Sequence, residues 1–168
     1  MDDELLEIVT PEGSVISVRR RSEVHGNPSL LHKVVHVLVF NDRGQLLLQK
    51  RSMSKDVEPG KWDTSVGGHV SPREDLIAAA AREMKEELGI EAADIVPLYS
   101  HSYSDKQESE LVFTYKAGHN GPFSFNQLEI EEIAFWNIDE IRQTLGSGAL
   151  SSHFEAEFRK YLSSEPTL

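Results

Sequence analysis

The segment from Gly68 to Ile90, GHVSPREDLIAAAAREMKEELGI, constrains this chain more than any other. Ser71, Pro72 and Glu74 read as a helix start: Ser71 as N-cap, proline at the first helical position, and glutamate at the third to close a capping box. Gly89 supplies the stop, because glycine takes the left-handed conformation just past a last turn. The spacing predicts a helix over 72–88. At about 100° per residue, Ile77, Ala81, Met84 and Leu88 fall on one stripe, the expected core-facing seam.

Glu83 and Glu87 lie together on one flank of that seam. Carboxylates held that close repel by some tenths of a kcal/mol unless a cation lies between them. Glu86 falls opposite the seam, one turn after Arg82, which makes Arg82 its partner within the helix. Glu83 and Glu87 are therefore the expected primary ligands of a divalent cation, with Glu86 a secondary or water-mediated one. Hard cations such as Mg²⁺ or Mn²⁺ take oxygen ligands and keep waters that substrate phosphates can replace. Val66-Gly67-Gly68 precedes the helix, and glycine lets backbone approach an ion closely, so the Gly67 carbonyl is a further candidate ligand.

Gly68 to Ile90 resembles the Nudix box, G-x5-E-x7-R-E-U-x-E-E-x-G-U, with every specified position filled when Met84 and Ile90 are counted as aliphatic. The resemblance implies a Nudix enzyme that hydrolyses a nucleoside diphosphate linked to another moiety, using Mg²⁺ or Mn²⁺ held by the box glutamates. It implies Glu83 as base or orienter of the attacking water, with Arg82 holding the glutamates and Glu86 beside them. Glu74 reads either as the capping-box residue or as support for the glutamates. Many relatives pair into dimers, so a homodimer is compatible with the chain.

A narrower resemblance covers His25 to Arg51, then Lys55, Pro59-Gly60 and Trp62 to His69. These stretches are similar to type I isopentenyl-diphosphate isomerase, itself of Nudix fold. That family binds a metal through three histidines and two glutamates, which implies His25, His32, His69, Glu108 and Glu110 as a possible second metal site. It also implies Arg51 and Lys55 as diphosphate contacts. Read from the residues alone, Glu108 and Glu110 are equally the solvated face of a strand, although alternate positions do point to one side. The departure is at Gly67, where the isomerase needs a cysteine to move a proton; glycine has no such group. The resemblance therefore implies an isomerase-like branch of Nudix proteins that acts as a hydrolase.

Elsewhere strand and helix signals alternate. Val15 to Val18, Lys33 to Phe40, Gln45 to Lys50, Trp62 to Val66, Ile95 to Tyr103, Glu110 to Lys116 and Ile133 to Asn137 read as strands. Asn41-Asp42-Arg43-Gly44 is a turn that makes a hairpin of the second and third. Ile138 to Leu145 and Phe154 to Leu162 read as helices, with Phe154, Phe158 and Tyr161 or Leu162 on one face. This pattern predicts an α+β fold, an α/β/α sandwich with a mixed sheet packed between helices. Trp62 and Trp136 read as core or loop anchors, His36 as a hydrogen-bonded interior residue, and Lys50 as a further candidate phosphate contact.

At 168 residues the chain suits one domain over 1–168, its core about 5–162. A net charge of −11 argues against general nucleic-acid binding, which needs clustered Lys and Arg. The short run Arg19-Arg20-Arg21 reads as an exposed strand end. No aliphatic run is long enough for a membrane span, and the acidic start does not resemble a signal peptide. Zero cysteines exclude disulfides, thiolate catalysis and Cys-ligated zinc. The expected setting is cytoplasmic and the expected partner a small-molecule diphosphate.

Overall fold

The computed structural model describes residues 3–92 and 94–164; the ends of the expected 1–168 domain, residues 1, 2 and 165–168, lie outside them. In chain order the elements are β1 (Leu5–Val9), β2 (Val15–Arg20), α1 (Arg21–Val24), β3 (Leu31–Phe40), β4 (Leu46–Arg51), β5 (Trp62–Asp63) and β6 (Val66–His69). They continue with α2 (Leu76–Leu88), β7 (Ile95–Ser104), β8 (Ser109–Gly118), β9 (Ile130–Trp136), α3 (Ile138–Thr144) and α4 (Ser152–Ser164).

The β-branched run of β3 suits a strand buried on both faces, and β3 is the centre of the fold. It runs parallel to β8 from Leu31 opposite Ser109 to Phe40 opposite Gly118. On its other edge it is antiparallel to β6, with His36 opposite Gly67. The expected turn joins β3 to β4, with the Gly44 N–H donating to the Asn41 carbonyl at 3.0 Å and Gly44 at φ 73°. Beyond that turn, β4 pairs with β9 and β5.

Alternation along β3 builds the two layers. Val35, Val37 and Val39 pack with Ala80, Met84 and Leu88 of α2, while Leu38 and Phe40 pack with Ile141 of α3 and with Phe154, Phe158 and Tyr161 of α4. The result is the expected mixed sheet between helices. Trp62 and Trp136 meet edge to face at 5.3 Å beside the second cluster, as anchors. No helix among the described residues is long and apolar enough to cross a membrane.

The local start of α2 differs from expectation. Its N-cap is Asp75, whose carboxylate accepts from the Ala78 N–H at 3.2 Å. Arg73 has φ 64°, a left-handed residue that no α-helix can run through, so Ser71 to Glu74 forms a separate turn. Within it the Ser71 N–H donates to Glu74 at 3.0 Å, a contact that closes the turn rather than capping the helix. The sheet-facing row is Leu76, Ala80, Met84 and Leu88; Ile77 is 46% exposed and Ala81 is exposed. This roll turns the Glu83 and Glu87 flank toward β6. The expected strand from Trp62 to Val66 is split, because Ser65 between β5 and β6 donates its hydroxyl to the Leu47 carbonyl and accepts the Val39 N–H at 3.0 Å.

Candidate active site

A cavity of about 560 Å³ opens where β6, the glutamate flank of α2, the start of β8 and the first turn of α4 meet. Its lining includes Glu83, Glu86, Glu87, Arg82, Gly67 and Gly68 from the box region, and His25, His69, Glu108 and Glu110 from the second set. Val34 and Val57 are its apolar side chains among the described residues.

On the box side, glycine permits the close approach of helix and strand. A Cβ on Gly68 would collide with the Glu83 carboxyl group. The Glu87 carboxylate accepts from Gln49 Nε2 at 3.0 Å and from the Gly67 N–H at 3.1 Å. Burial, helped by repulsion from Glu83, still pushes Glu87 up to about 8 against those two bonds. Burial also raises Glu83, although Arg82 opposes it by donating Nη1 to Glu83 Oε1 at 2.8 Å. Arg82 reaches Glu86 at 3.3 Å, the expected pair one helical turn apart, and Glu86 is largely exposed. Glu74 gives both oxygens to Arg82 and is held below the usual carboxylate range by that contact. These acids on one cavity wall offer oxygen donors alone, which suits Mg²⁺ or Mn²⁺.

The second set also converges. Donor atoms of His25, His32 and His69 lie within 4.8 Å of one another, and so do those of His32, Glu108 and Glu110. The solvated-strand reading of Glu110 does not hold: it is 6% exposed, on a β8 flanked by β3 and β7. His32 is fully buried, neither ring nitrogen has a hydrogen-bond partner, and burial brings it down to about 4, which keeps it neutral. Glu108 Oε2 and Glu110 Oε2 are likewise buried without hydrogen-bond partners, although His153 Nε2 lies 3.6 Å from Glu110 Oε2. Leaving such atoms unpaired costs on the order of 1–3 kcal/mol each, and one cation would engage a single His32 nitrogen together with Glu108 Oε2 and Glu110 Oε2. The donor set of imidazoles and carboxylates fits a divalent transition ion such as Mn²⁺.

Three residues that sequence reasoning missed support the two walls. Glu4 Oε2 lies 3.0 Å from His69 Nδ1, which leaves Nε2 of that ring facing His25 at 3.2 Å. His153, from the first turn of α4, places Nε2 3.1 Å from Glu108 Oε1. Gln49 holds Glu87. None carries a motif, and the His153 contact spans 45 residues of chain.

The expected phosphate contacts divide. Arg51 lines the cavity, with Nε donated to the Val57 carbonyl at 2.9 Å and Nη1 to Asp63 at 3.1 Å. Lys55 is absent from the lining; its N–H donates to the Ser52 carbonyl in the turn after β4. Lys50 is absent too, its ammonium 3.8 Å from Glu131 on β9. Arg19, Arg20 and Arg21 are exposed as expected, and Arg21, the first residue of α1, also lines the cavity. His36 is the expected interior residue, its Nδ1 2.9 Å from Glu157.

A glutamate-bearing helix laid over a glycine strand, inside an α/β/α sandwich, defines a class that comparison with known proteins identifies. The NUDIX domain family matches residues 30–155, and the chain belongs to that family. It is 31% identical over 156 residues to the isopentenyl-diphosphate Delta-isomerase of Streptomyces avermitilis, covering 89% of this chain and 79% of that protein. It is also 31% identical over 141 residues to the uncharacterized Nudix hydrolase YfcD of Escherichia coli K12, covering 82% of this chain and 76% of that protein. The crystal structure of DR0079 from Deinococcus radiodurans matches with a TM-score of 0.82 at 25% identity, over 94% of this chain and 98% of that one.

Proposed function

We propose that this chain is one Nudix domain that hydrolyses a phosphoanhydride bond in an organic diphosphate, with Mg²⁺ or Mn²⁺ held by Glu83, Glu87, Glu86 and the Gly67 carbonyl. The observation that carries the reading is Glu83 lying directly over Gly68, fixed by Arg82, inside an acidic cavity. When bound, the cation offsets the charge of the diphosphate and makes a nearby water more acidic. Glu83 takes a proton from water as the water oxygen attacks one phosphorus; the bridging P–O bond breaks and two phosphate-bearing products separate. A carboxylate raised by burial is a better base near neutral pH than an ordinary one. Arg82 positions that carboxylate, and Arg51 contacts the diphosphate.

The test is a panel of nucleoside diphosphates, ADP-ribose and dinucleoside polyphosphates incubated with metal. Metal-dependent release of phosphate or a nucleoside monophosphate is expected, with Glu83→Gln slowing turnover by roughly 10²–10⁴-fold. Unchanged turnover in that variant would remove Glu83 from the role.

The convergence of His25, His32, His69, Glu108 and Glu110 favours a second reading, a protein that binds or isomerises prenyl diphosphates. Two features weigh against it. Residue 67 is glycine, and a cavity whose apolar side chains are Val34 and Val57 offers little to a hydrocarbon tail. We therefore infer a polar moiety on the substrate. Allylic deuterium incorporation from a prenyl diphosphate in D₂O would reverse this ranking.

A further inference from the structure

We propose that His153 is a positioning residue that fixes Glu108 as a one-oxygen ligand in the site formed by His25, His32, His69, Glu108 and Glu110. The inference rests on reading that cluster as a cation site. His153 Nε2 lies 3.1 Å from Glu108 Oε1 and so occupies that oxygen. The other, Oε2, is buried without a hydrogen-bond partner, 3.6 Å from His25 Nε2 and 4.0 Å from His32 Nε2. A carboxylate turns easily about its terminal torsion, so a donor that pins one oxygen sets the direction of the other. His153 therefore aims Oε2 at the imidazole nitrogens.

Both partners are themselves held. The His153 ring lies against Tyr103, centroids 4.1 Å apart, and the Tyr103 hydroxyl donates to Asp105 Oδ2 at 3.1 Å. Asp105 Oδ1 accepts the Gln107 and Glu108 N–H groups at 2.7 and 2.9 Å, so one acid ties down both the tyrosine against His153 and the turn that delivers Glu108. Next to His153, the Ser151 hydroxyl donates to Asp63 at 2.8 Å and the Ser152 hydroxyl to Glu58 at 2.6 Å. Three consecutive residues of one turn thus grip three carboxylates of the cavity wall. An exposed ion pair would have no such frame, nor a second oxygen buried and empty-handed.

The experiment is Co²⁺ titration of the metal-free full chain, followed by visible absorption, with excess Mg²⁺ present to occupy the carboxylate side. Wild type should bind a Co²⁺ that His32→Ala abolishes. His153→Phe, which keeps the ring against Tyr103 and loses the donor, should bind that Co²⁺ roughly 10–100-fold more weakly. His153→Gln, which keeps a donor, should recover most of the loss. Wild-type affinity in His153→Phe, or equal weakening in Phe and Gln variants, would overturn the positioning role alone. If wild type and His32→Ala bind Co²⁺ alike, the cluster itself is no cation site and the inference goes with it.

Discussion

Arg82 grips Glu74 through two parallel hydrogen bonds, Nε to Oε2 and Nη2 to Oε1, each 2.8 Å long. Both Glu74 oxygens are thus engaged by the guanidinium, and Glu74 sets its plane. From that plane Nη1 reaches Glu83 at 2.8 Å and Nη2 the His69 carbonyl at 3.0 Å, so the fork links both walls of the cavity. Arg82→Lys keeps the charge and loses the fork. Because Arg82 is about a third exposed, the expected stability loss is modest, about 1 kcal/mol. The kcat loss should be larger, at least tenfold, with KM little changed. Thermal melts and steady-state kinetics check this, and an unaltered kcat would refute it.

The two glycines of β6 make different predictions. A methyl at residue 68 lands on the Glu83 carboxyl group, whereas a methyl at residue 67 meets His36 Cδ2 at 3.2 Å, a contact that a small shift relieves. Gly68→Ala should leave a folded protein with activity down by about 10²-fold or more, because the displaced group is the proposed base. Gly67→Ala should lose less than tenfold. Far-ultraviolet circular dichroism with kinetics on both variants decides it; equal losses would mean that residue 68 does not seat Glu83.

What could be read from residues alone follows from how local each signal is. The valine run of β3 and the Phe154, Phe158, Tyr161 face of α4 are periodic patterns, and the structure buries them as expected. The Glu83 and Glu87 flank follows from helical geometry and survives even though the helix begins at Leu76. The misplaced start came from Arg73, whose left-handed backbone no local rule anticipates for arginine. The supporting residues were hidden for another reason. Glu4 meets His69 across 65 positions and Gln49 meets Glu87 across 38, so tertiary folding alone brings them to the site.

Arg51 and Lys55 separate cavity position from mere charge. Arg51 lines the cavity and is already oriented by Val57 and Asp63, whereas Lys55 is outside the lining. Arg51→Ala should raise KM for a diphosphate about tenfold or more, since a charge-assisted contact is typically worth about 1.5–3 kcal/mol. Lys55→Ala should change KM less than twofold. A KM effect in the lysine variant equal to that of the arginine variant would overturn the assignment.

Glu157 and His36 make the acid sensitivity of the fold predictable. Glu157 is fully buried, lying 2.9 Å from His36 Nδ1 and accepting the Thr114 and Tyr99 hydroxyls at 2.6 Å each. Burial opposes its charge, but these donors hold it below its ordinary 4.5; burial likewise opposes the His36 cation, and Glu157 holds it above 6.5. Glu110 and Asp63 add to the pull on His36. Glu157 therefore contributes stability above pH 4.5 that is lost as pH falls through its depressed value, and His36 contributes stability below pH 6.5 that is lost as pH rises through its elevated one. Glu157→Gln turns one acceptor into a donor facing donors and should cost roughly 3 kcal/mol. The stability gap to wild type should be widest between pH 4.5 and 6.5 and narrow on both sides. Chemical denaturation of both proteins from pH 4 to about 8 measures it; a gap constant across that range would show that the pair is not ionised.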